Sequence, residues 1–297
     1  MSKTSVTFGQ KRQLRRVVED GGSKGVDLAF RKLPLDLESA QRVLGRGDEL
    51  QSAITELILS KVRDFSMPPE FANEDVGSEC EYPSGYPPPS NVEREFRAWL
   101  AWFPELSRGG LVDAGFSLYL EEHRPDLPAG AERPFLIPRW QRVAPTYCQA
   151  VKKVLALIAK QRKFDNRCLY ELDANNLRQT ARTSTMLATL GKGQHDDFII
   201  IPAQMGFRHR GRSIRRARQV FADNEFGLDT FSVACILLLY PAREIAMEHL
   251  HIDCAGDEFL PECNAAPYFG YHSKLEFARQ PVNGPSGAFG SATGFLM

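Results

Sequence analysis

Residues 197–203 read DFIIIPA, a short β-branched run that is apolar on both faces. Residues 248–254 read EHLHIDC, in which polar and apolar side chains alternate strictly. The first pattern is typical of a central strand covered on both sides, and the second of a strand with one polar face. Two helical stretches lie between them, one over about 213–224 and one that ends at Tyr240. Strand, helical crossover and strand predict a parallel βαβ unit.

The rest of the chain predicts further helices around this unit. Apolar residues recur at helical spacing over about 48–65, 91–103, 145–163 and 174–190. A short strand is expected at 134–138 and a hairpin around Ser273, followed by a Gly/Ser/Ala-rich tail. We therefore expect an α/β or α+β fold, in which a mixed sheet with the parallel βαβ unit is flanked by helices and preceded by a helical N-terminal part.

A break in composition at residues 66–90 predicts the domain organisation. This stretch holds six prolines and five acidic residues, and it has no Lys or Arg. Proline removes a backbone donor and disfavours helix in the residue before it. The sequence thus predicts a helical region over 1–65, a Pro-rich acidic linker or loop over 66–90, and an α/β main domain over 91–297.

Composition and charge exclude several classes of protein. The 297 residues are 43% apolar and 25% charged, which is ordinary for a globular chain. Lys+Arg and Asp+Glu both number 37, so no bulk charge draws the chain to nucleic acid or to a membrane. The N-terminus has no apolar signal region, and the six cysteines contain no CxxC pair. We expect a cytoplasmic protein with reduced thiols and no membrane partner.

The strongest local charge is a run of arginines after the first strand. Six arginines and His209 lie between Arg208 and Arg218, with no acidic residue among them. The guanidinium fork binds phosphate oxygens in pairs, and a loop that leads into a helix favours an anion. The predicted ligand-binding residues are Gly206, Arg208, His209, Arg210, Gly211, Arg212, Ser213, Arg215 and Arg216. The alternative is that these arginines form salt bridges to the acidic stretch Glu70–Glu81.

Histidines and acids cluster at the second strand. Strand alternation sends His249, His251 and Asp253 to one face, and Asp257 and Glu258 follow in the next loop. The first three could ligate a divalent metal ion, and Asp253, Asp257 and Glu258 are the candidate catalytic residues. The alternative is a half-exposed strand whose polar face meets water.

The two clusters are expected to meet. Both follow the carboxyl ends of strands that the βαβ unit makes parallel, and such ends lie at one edge of a sheet. Arginines facing carboxylates there would form a phosphate clamp next to a metal or general-base site. They could equally form a structural ion-pair network that needs no ligand.

Three functional hypotheses follow from these clusters. The first is a binding protein for a phosphate-bearing partner, above all nucleic acid, that uses Arg208–Arg218. The second is a metal-dependent phosphoryl-transfer or hydrolytic enzyme that uses Asp253, Asp257 and Glu258. The third is a structural subunit of a larger assembly. The sequence leaves open whether the protein is an enzyme, and it leaves its oligomeric state open.

Several segments also carry a resemblance to other proteins. They are FRHRGRSIRRAR at 207–218, NEFGL at 224–228, HIDCAGDE at 251–258 and GSATGFL at 290–296. In these segments, and over most of its length, the chain resembles a family of bacterial hypothetical proteins with no known activity. The resemblance implies a protein of bacterial type, and it implies no reaction, cofactor or fold.

Overall fold

The computed structural model describes residues 8–32, 36–66, 70–82, 92–106, 127–192, 194, 197–244 and 246–297. The chain divides after Ser66 into two units. None of the described helices combines the length and apolar character that a bilayer crossing requires. All six cysteines belong to the described residues, and each is a free thiol.

The described residues of the first unit form three helices. They are α1 (Phe8–Lys32), α2 (Leu37–Gly45) and α3 (Gly47–Ser66). The Asp36 side chain caps α2 by accepting a 2.7 Å hydrogen bond from the Ser39 backbone. The helix α3 confirms the one expected at 48–65, and the basic segment that starts at Lys11 is part of α1.

The second unit contains the strands β1 (Arg133–Pro138), β2 (Phe164–Asn166), β3 (Leu177–Gln179), β4 (Phe198–Arg210), β5 (Glu225–Gly227), β6 (His251–Asp253), β7 (Asp257–Phe259), β8 (Ala265–Tyr271), β9 (Leu275–Pro281) and β10 (Phe289–Phe295). Eight of these described strands form one sheet, in the order β1-β4-β10-β6-β8-β9-β2 with β5 also paired to β10. The β6–β10 and β2–β9 pairs are parallel, and the other pairs are antiparallel. The strands β3 and β7 pair separately. The predicted mixed sheet with a helical part before it is confirmed.

The parallel pairs are not the ones that the sequence predicted. The strand β10 lies between β4 and β6, antiparallel to the first and parallel to the second. The strands expected at 197–203 and 248–254 therefore run in opposite directions and are not neighbours, so that part of the prediction was wrong. The reason is that the C-terminal segment, expected to be a Gly/Ser/Ala-rich tail, enters the sheet between them.

The strand β4 is longer than predicted and includes residues 204–210, which we expected to be a loop. Ala292 of β10 lies opposite Met205 and Gly290 opposite Arg210, with a bulge between these pairs. Gly206 has a φ of +112°, and a Cβ there would lie 2.7 Å from the carbonyl oxygen of Gly290. Glycine alone tolerates both conditions. The arginine run thus begins on a central strand.

Helices cover this sheet and complete the hydrophobic core. They are α4 (Val92–Trp102), α5 (Trp140–Val143), α6 (Tyr147–Gln161), α7 (Ala181–Lys192), α8 (Ile214–Val220) and α9 (Thr230–Leu239). The helices α4 and α9 pack on β1, and α9 also packs on α6. Ser213 caps α8 and Asp229 caps α9. The helix expected at 174–190 begins later than predicted, because β3 takes part of that range, and the helix expected at 213–224 ends at Val220.

The described part of the Pro-rich acidic stretch, residues 70–82, is bound to the sheet. The backbone N–H of Val76 donates to the carbonyl of Gly211 at 2.8 Å, and that of Ser213 donates to the carbonyl of Glu74 at 3.0 Å. Further along, the N–H of Leu250 donates to the carbonyl of Glu81 at 2.8 Å. These bonds fix the segment beside both strands that carry predicted site residues. Residues 67–69 and 83–91, which include all six prolines of the stretch, lie outside the described residues.

Candidate functional site

The arginines of the run 208–218 are mostly turned into the protein. Arg212 is 5% exposed and its Nε donates to Asp75 Oδ2 at 3.0 Å. Arg215 Nε donates to Glu74 Oε2 at 2.8 Å, and Arg216 Nη1 donates to the carbonyl of Glu70 at 3.2 Å. The hydrogen bonds from Arg215 lower the pKa of Glu74. The acidic stretch therefore neutralises part of the run, as the alternative interpretation of the sequence predicted.

A second buried network surrounds His209. Its Nε2 lies 2.8 Å from Glu225 Oε1, and its Nδ1 lies 3.1 Å from Arg212 Nη1. Because arginine only donates, Nδ1 accepts and the Nε2–H group donates to Glu225. Burial lowers the pKa of His209, which agrees with this neutral form. Burial raises the pKa of Glu225, but His209 and then Arg208 outweigh it and bring that pKa to about 2.

The remaining predicted ligand-binding residues serve the fold. A Cβ at Gly211 would collide with the carbonyl oxygen of Val76, and the φ of Gly211 is +78°. The Ser213 hydroxyl donates to Glu74 Oε2 at 2.6 Å and also accepts the Arg216 N–H as the cap of α8. The two glycines, 206 and 211, thus allow close approach of the chain's own backbone rather than of a phosphate, which corrects our expectation.

One arginine of the run differs from the others. Arg210 is the only exposed member of the six, all of which the structure describes. Its guanidinium carbon lies 4.2 Å from the centre of the Phe207 ring, and Phe207 is itself 46% exposed. The Tyr82 ring packs against Phe207 with centroids 4.9 Å apart. We call Tyr82, Phe207 and Arg210 the aromatic–arginine surface.

Contacts with neighbouring residues hold Tyr82 of the aromatic–arginine surface in place. Tyr82 donates through its hydroxyl to Glu132, and the same oxygen accepts the Met205 backbone N–H at 3.1 Å. The guanidinium carbon of Arg243 lies 4.2 Å from the centre of the Tyr82 ring, and the Arg243 side chain is almost fully buried. The Tyr82 ring is therefore held in place by contacts within the protein itself.

Sequence reasoning identified Arg210, but it did not predict the contact of Arg210 with Phe207 or the packing of Phe207 against Tyr82. Tyr82 lies in the Pro-rich acidic stretch, 123 positions before its hydrogen-bond partner Met205. No local signal in the sequence predicts that contact.

The predicted catalytic carboxylates are internal groups. Asp253 and Asp257 are both 0% exposed, and burial is the largest cause that raises the pKa of each to about 8. Asp253 accepts from the Gln280 amide. Asp257 accepts from the Thr230 backbone N–H at 2.8 Å and from the Tyr147 hydroxyl at 2.5 Å.

The third predicted carboxylate, Glu258, forms an ion pair with Arg178 at 2.8 Å. Arg218 donates to the carbonyl oxygens of Ala255 at 2.9 Å and Asp257 at 2.6 Å. Arg218, at the end of the arginine run, thus contacts residues 255–257 through a guanidinium that is bonded internally, although β4 and β6 run in opposite directions and do not end at one edge of the sheet as we expected. This part of the expected clamp is a structural network.

The predicted metal set is not assembled. Among the residues that the structure describes, no three His, Cys, Asp or Glu side chains are placed to hold a metal ion. His251 Nδ1 lies 3.2 Å from Glu244, whereas Asp253 bonds to Gln280. His251 and Asp253 thus bond to different side chains, and His249 lies before β6 rather than in it.

Comparison with known proteins adds no assignment. A scan against protein-family models finds no match, and searches of curated proteins and of solved structures also return none.

Proposed function

We propose that this protein binds a phosphate-bearing partner, single-stranded nucleic acid, through the aromatic–arginine surface. The observation that carries the proposal is the exposed Phe207 ring with the Arg210 guanidinium 4.2 Å from its centre. An exposed ring offers a platform for an unstacked base, and a neighbouring guanidinium reaches the phosphate of the same nucleotide. Duplex bases already stack on each other, so the surface favours a single strand.

The buried arginines have a different part in this proposal. Arg212 and Arg216 are 5% and 4% exposed, so they cannot reach a nucleic acid without unfolding the site. They hold the acidic segment 70–82 against the sheet instead. The proposed contact residues are consequently a small subset of the predicted run.

The proposal is tested by fluorescence anisotropy with a labelled single-stranded oligonucleotide and its duplex. Base stacking on an aromatic ring contributes about 1–3 kcal/mol, so Phe207→Ala should weaken single-strand binding about 5- to 150-fold. Arg210→Ala should weaken binding and reduce the slope of log K against log salt by about 0.7, the value for one phosphate contact on a single strand.

Matched controls lie elsewhere on the surface. Tyr170 is 93% exposed and the Arg142 side chain is 61% exposed, and neither belongs to the aromatic–arginine surface. Tyr170→Ala and Arg142→Ala should leave the affinity unchanged. The proposal fails if the wild-type protein does not bind the strand, or if Phe207→Ala and Arg210→Ala bind it as tightly as the controls do.

A further inference from the structure

Arg210 forms no ion pair with a carboxylate in the part of the chain that the structure describes. Arg212 and Arg215, by contrast, each donate to a carboxylate of the segment 70–82. The guanidinium of Arg210 lies over the Phe207 ring instead, with its central carbon 4.2 Å from the ring centre. We call this the Arg210–Phe207 contact. The positive charge of Arg210 is therefore available to an anionic ligand.

The Arg210–Phe207 contact covers one face of the ring. The side chain of Tyr82 packs against the same ring, with centroids 4.9 Å apart and an angle of 44° between the planes. Phe207 is nevertheless 46% exposed, so solvent reaches much of its side chain. The face under the guanidinium becomes available for base stacking only when Arg210 moves away from it.

This movement requires only the rotation of one side chain. The main chain of Arg210 belongs to β4, and the N–H of the next residue, Gly211, donates to the carbonyl of Phe289 at 2.9 Å. The Phe207 ring keeps its packing on Tyr82 when the guanidinium leaves. Exposed side chains change rotamer within picoseconds to nanoseconds. Arg210 can thus leave the ring without any change in the fold.

A base gains more from the ring face than the guanidinium does. A cation over an aromatic face at an exposed site favours that stacked position about 2- to 5-fold over a free position. Stacking of a base on an aromatic side chain raises affinity about 5- to 150-fold. The exchange of the guanidinium for a base is therefore favourable, and the remaining question is where the displaced guanidinium goes.

We propose that the Arg210–Phe207 contact makes the surface selective for ligands that carry both a base and a phosphate. The proposal rests on the proposed function, since it takes the ligand to be a nucleic-acid strand. When a base occupies the ring face, the guanidinium of Arg210 turns to the phosphate of the same nucleotide and forms charge-assisted hydrogen bonds there. An uncharged aromatic ligand displaces the same guanidinium but offers it no anion, so the contact lowers the affinity for such a ligand.

The test compares two single strands of the same sequence, one with phosphodiester linkages and one with uncharged methylphosphonate linkages. Both strands carry an uncharged dye, and their anisotropy is measured with the full chain. The Arg210→Ala variant should bind the methylphosphonate strand about 3- to 6-fold more tightly than the wild type does, because the guanidinium no longer competes for the ring. Affinities too weak for anisotropy are measured by NMR titration.

The phosphodiester strand should respond in the opposite direction. Arg210→Ala should bind it more weakly than the wild type does, because a hydrogen-bonded contact with a charged group contributes about 10- to 150-fold and outweighs the gain from the uncovered ring. Arg142→Ala, which removes an exposed arginine elsewhere, should change the affinity for neither strand. Opposite signs for the two strands are the signature of the proposed selectivity.

The contact itself is measured in the free protein by NMR. Protons above the face of an aromatic ring are shielded, so the δ-methylene protons of Arg210 should resonate upfield of their position in Phe207→Leu. This variant keeps an apolar side chain at position 207 and removes only the ring. The measurement needs no ligand, and it therefore tests the contact separately from binding.

The outcomes distinguish the selectivity from the proposed function. If the phosphodiester strand binds in a Phe207-dependent way but Arg210→Ala binds the methylphosphonate strand no more tightly than the wild type does, the selectivity is wrong and the proposed function stands. The same conclusion follows if the δ-methylene protons of Arg210 show no upfield shift. A wild-type protein that binds no phosphodiester strand would overturn the proposed function, and the selectivity with it.

Discussion

The replacement of Asp253 by Asn should change how the stability of the protein depends on pH. Asp253 is fully buried, and its Oδ2 has no hydrogen-bond partner among the described residues. Burial raises its pKa from 3.8 to about 8, against the opposing effects of Gln280 and then Arg218. The folded state therefore binds this proton more tightly than the unfolded state does. The resulting stabilisation is complete below pH 3.8 and is lost as the pH rises through about 8.

The size of the effect follows from the linkage relation. Between the two pKa values, one carboxyl changes the free energy of unfolding by about 1.4 kcal/mol per pH unit. Asn imitates the neutral carboxyl and does not titrate. The Asp253→Asn variant should therefore gain about 3 kcal/mol on the wild type over two pH units, from about pH 5 to about pH 7.

Urea denaturation of both proteins at several pH values measures this difference directly. Other titrating groups, such as the buried His209, affect both proteins equally, and the difference between them isolates Asp253. Asp223 is exposed, and Asp223→Asn should keep the pH dependence of the wild type. Parallel stability curves for wild type and Asp253→Asn would refute the argument that burial of this carboxyl outweighs the effects of Gln280 and Arg218.

Two further changes test the networks around the arginine run. Glu225→Gln should destabilise the protein by about 3–5 kcal/mol in urea denaturation, because it leaves Arg208 and His209 without their buried carboxylate. A loss of stability below about 1 kcal/mol, which is the range of exposed ion pairs, would contradict this prediction. Gly211→Ala should lower the free energy of unfolding by at least about 1–3 kcal/mol, since its φ is +78° and a Cβ would meet a backbone carbonyl. Gly284→Ala, where the nearest atom lies 3.7 Å from the added Cβ, is the control that should change little.

The elements that the sequence predicted well are those with a local signal. The helix α6 has apolar residues at helical spacing, and Val151, Val154 and Leu155 are buried as expected. The hairpin expected around Ser273 forms between β8 and β9, and Ser273 has the positive φ of a tight turn, +62°. In these segments periodicity and turn residues act over short distances, so sequence alone is sufficient.

The strand β10 shows what local signals miss. Its sequence, FGSATGF, is small and glycine-rich, which argues against a strand. It becomes a central strand because Gly290 and Gly206 let two backbones approach closely. These two glycines lie 84 positions apart in the chain, and no periodic pattern in the sequence indicates that they meet. Because the segment was predicted as a tail, the direction of β6 relative to β4 was also wrong.

The sequence locates the arginine run, but it does not tell which of the arginines are paired with acidic residues. An uninterrupted run of arginines indicates strong local charge, and the structure keeps that charge in one region. The partners of Arg212 and Arg215 lie 137 and 141 residues earlier in the chain. Whether a guanidinium is free or paired depends on such distant contacts, which composition and spacing do not encode.

The structural and the functional interpretations of the arginine run are linked through the segment 70–82. Arg215 holds Glu74 and the buried Arg212 holds Asp75, and backbone bonds continue along the segment to Glu81. The next residue is Tyr82, the ring on which the exposed Phe207 rests. The paired arginines thus help to fix the segment whose aromatic ring packs beside the exposed Phe207 and Arg210. An arginine run whose charge is largely neutralised is therefore compatible with a binding surface, because the ion-paired arginines stabilise the segment that packs beside the exposed Arg210.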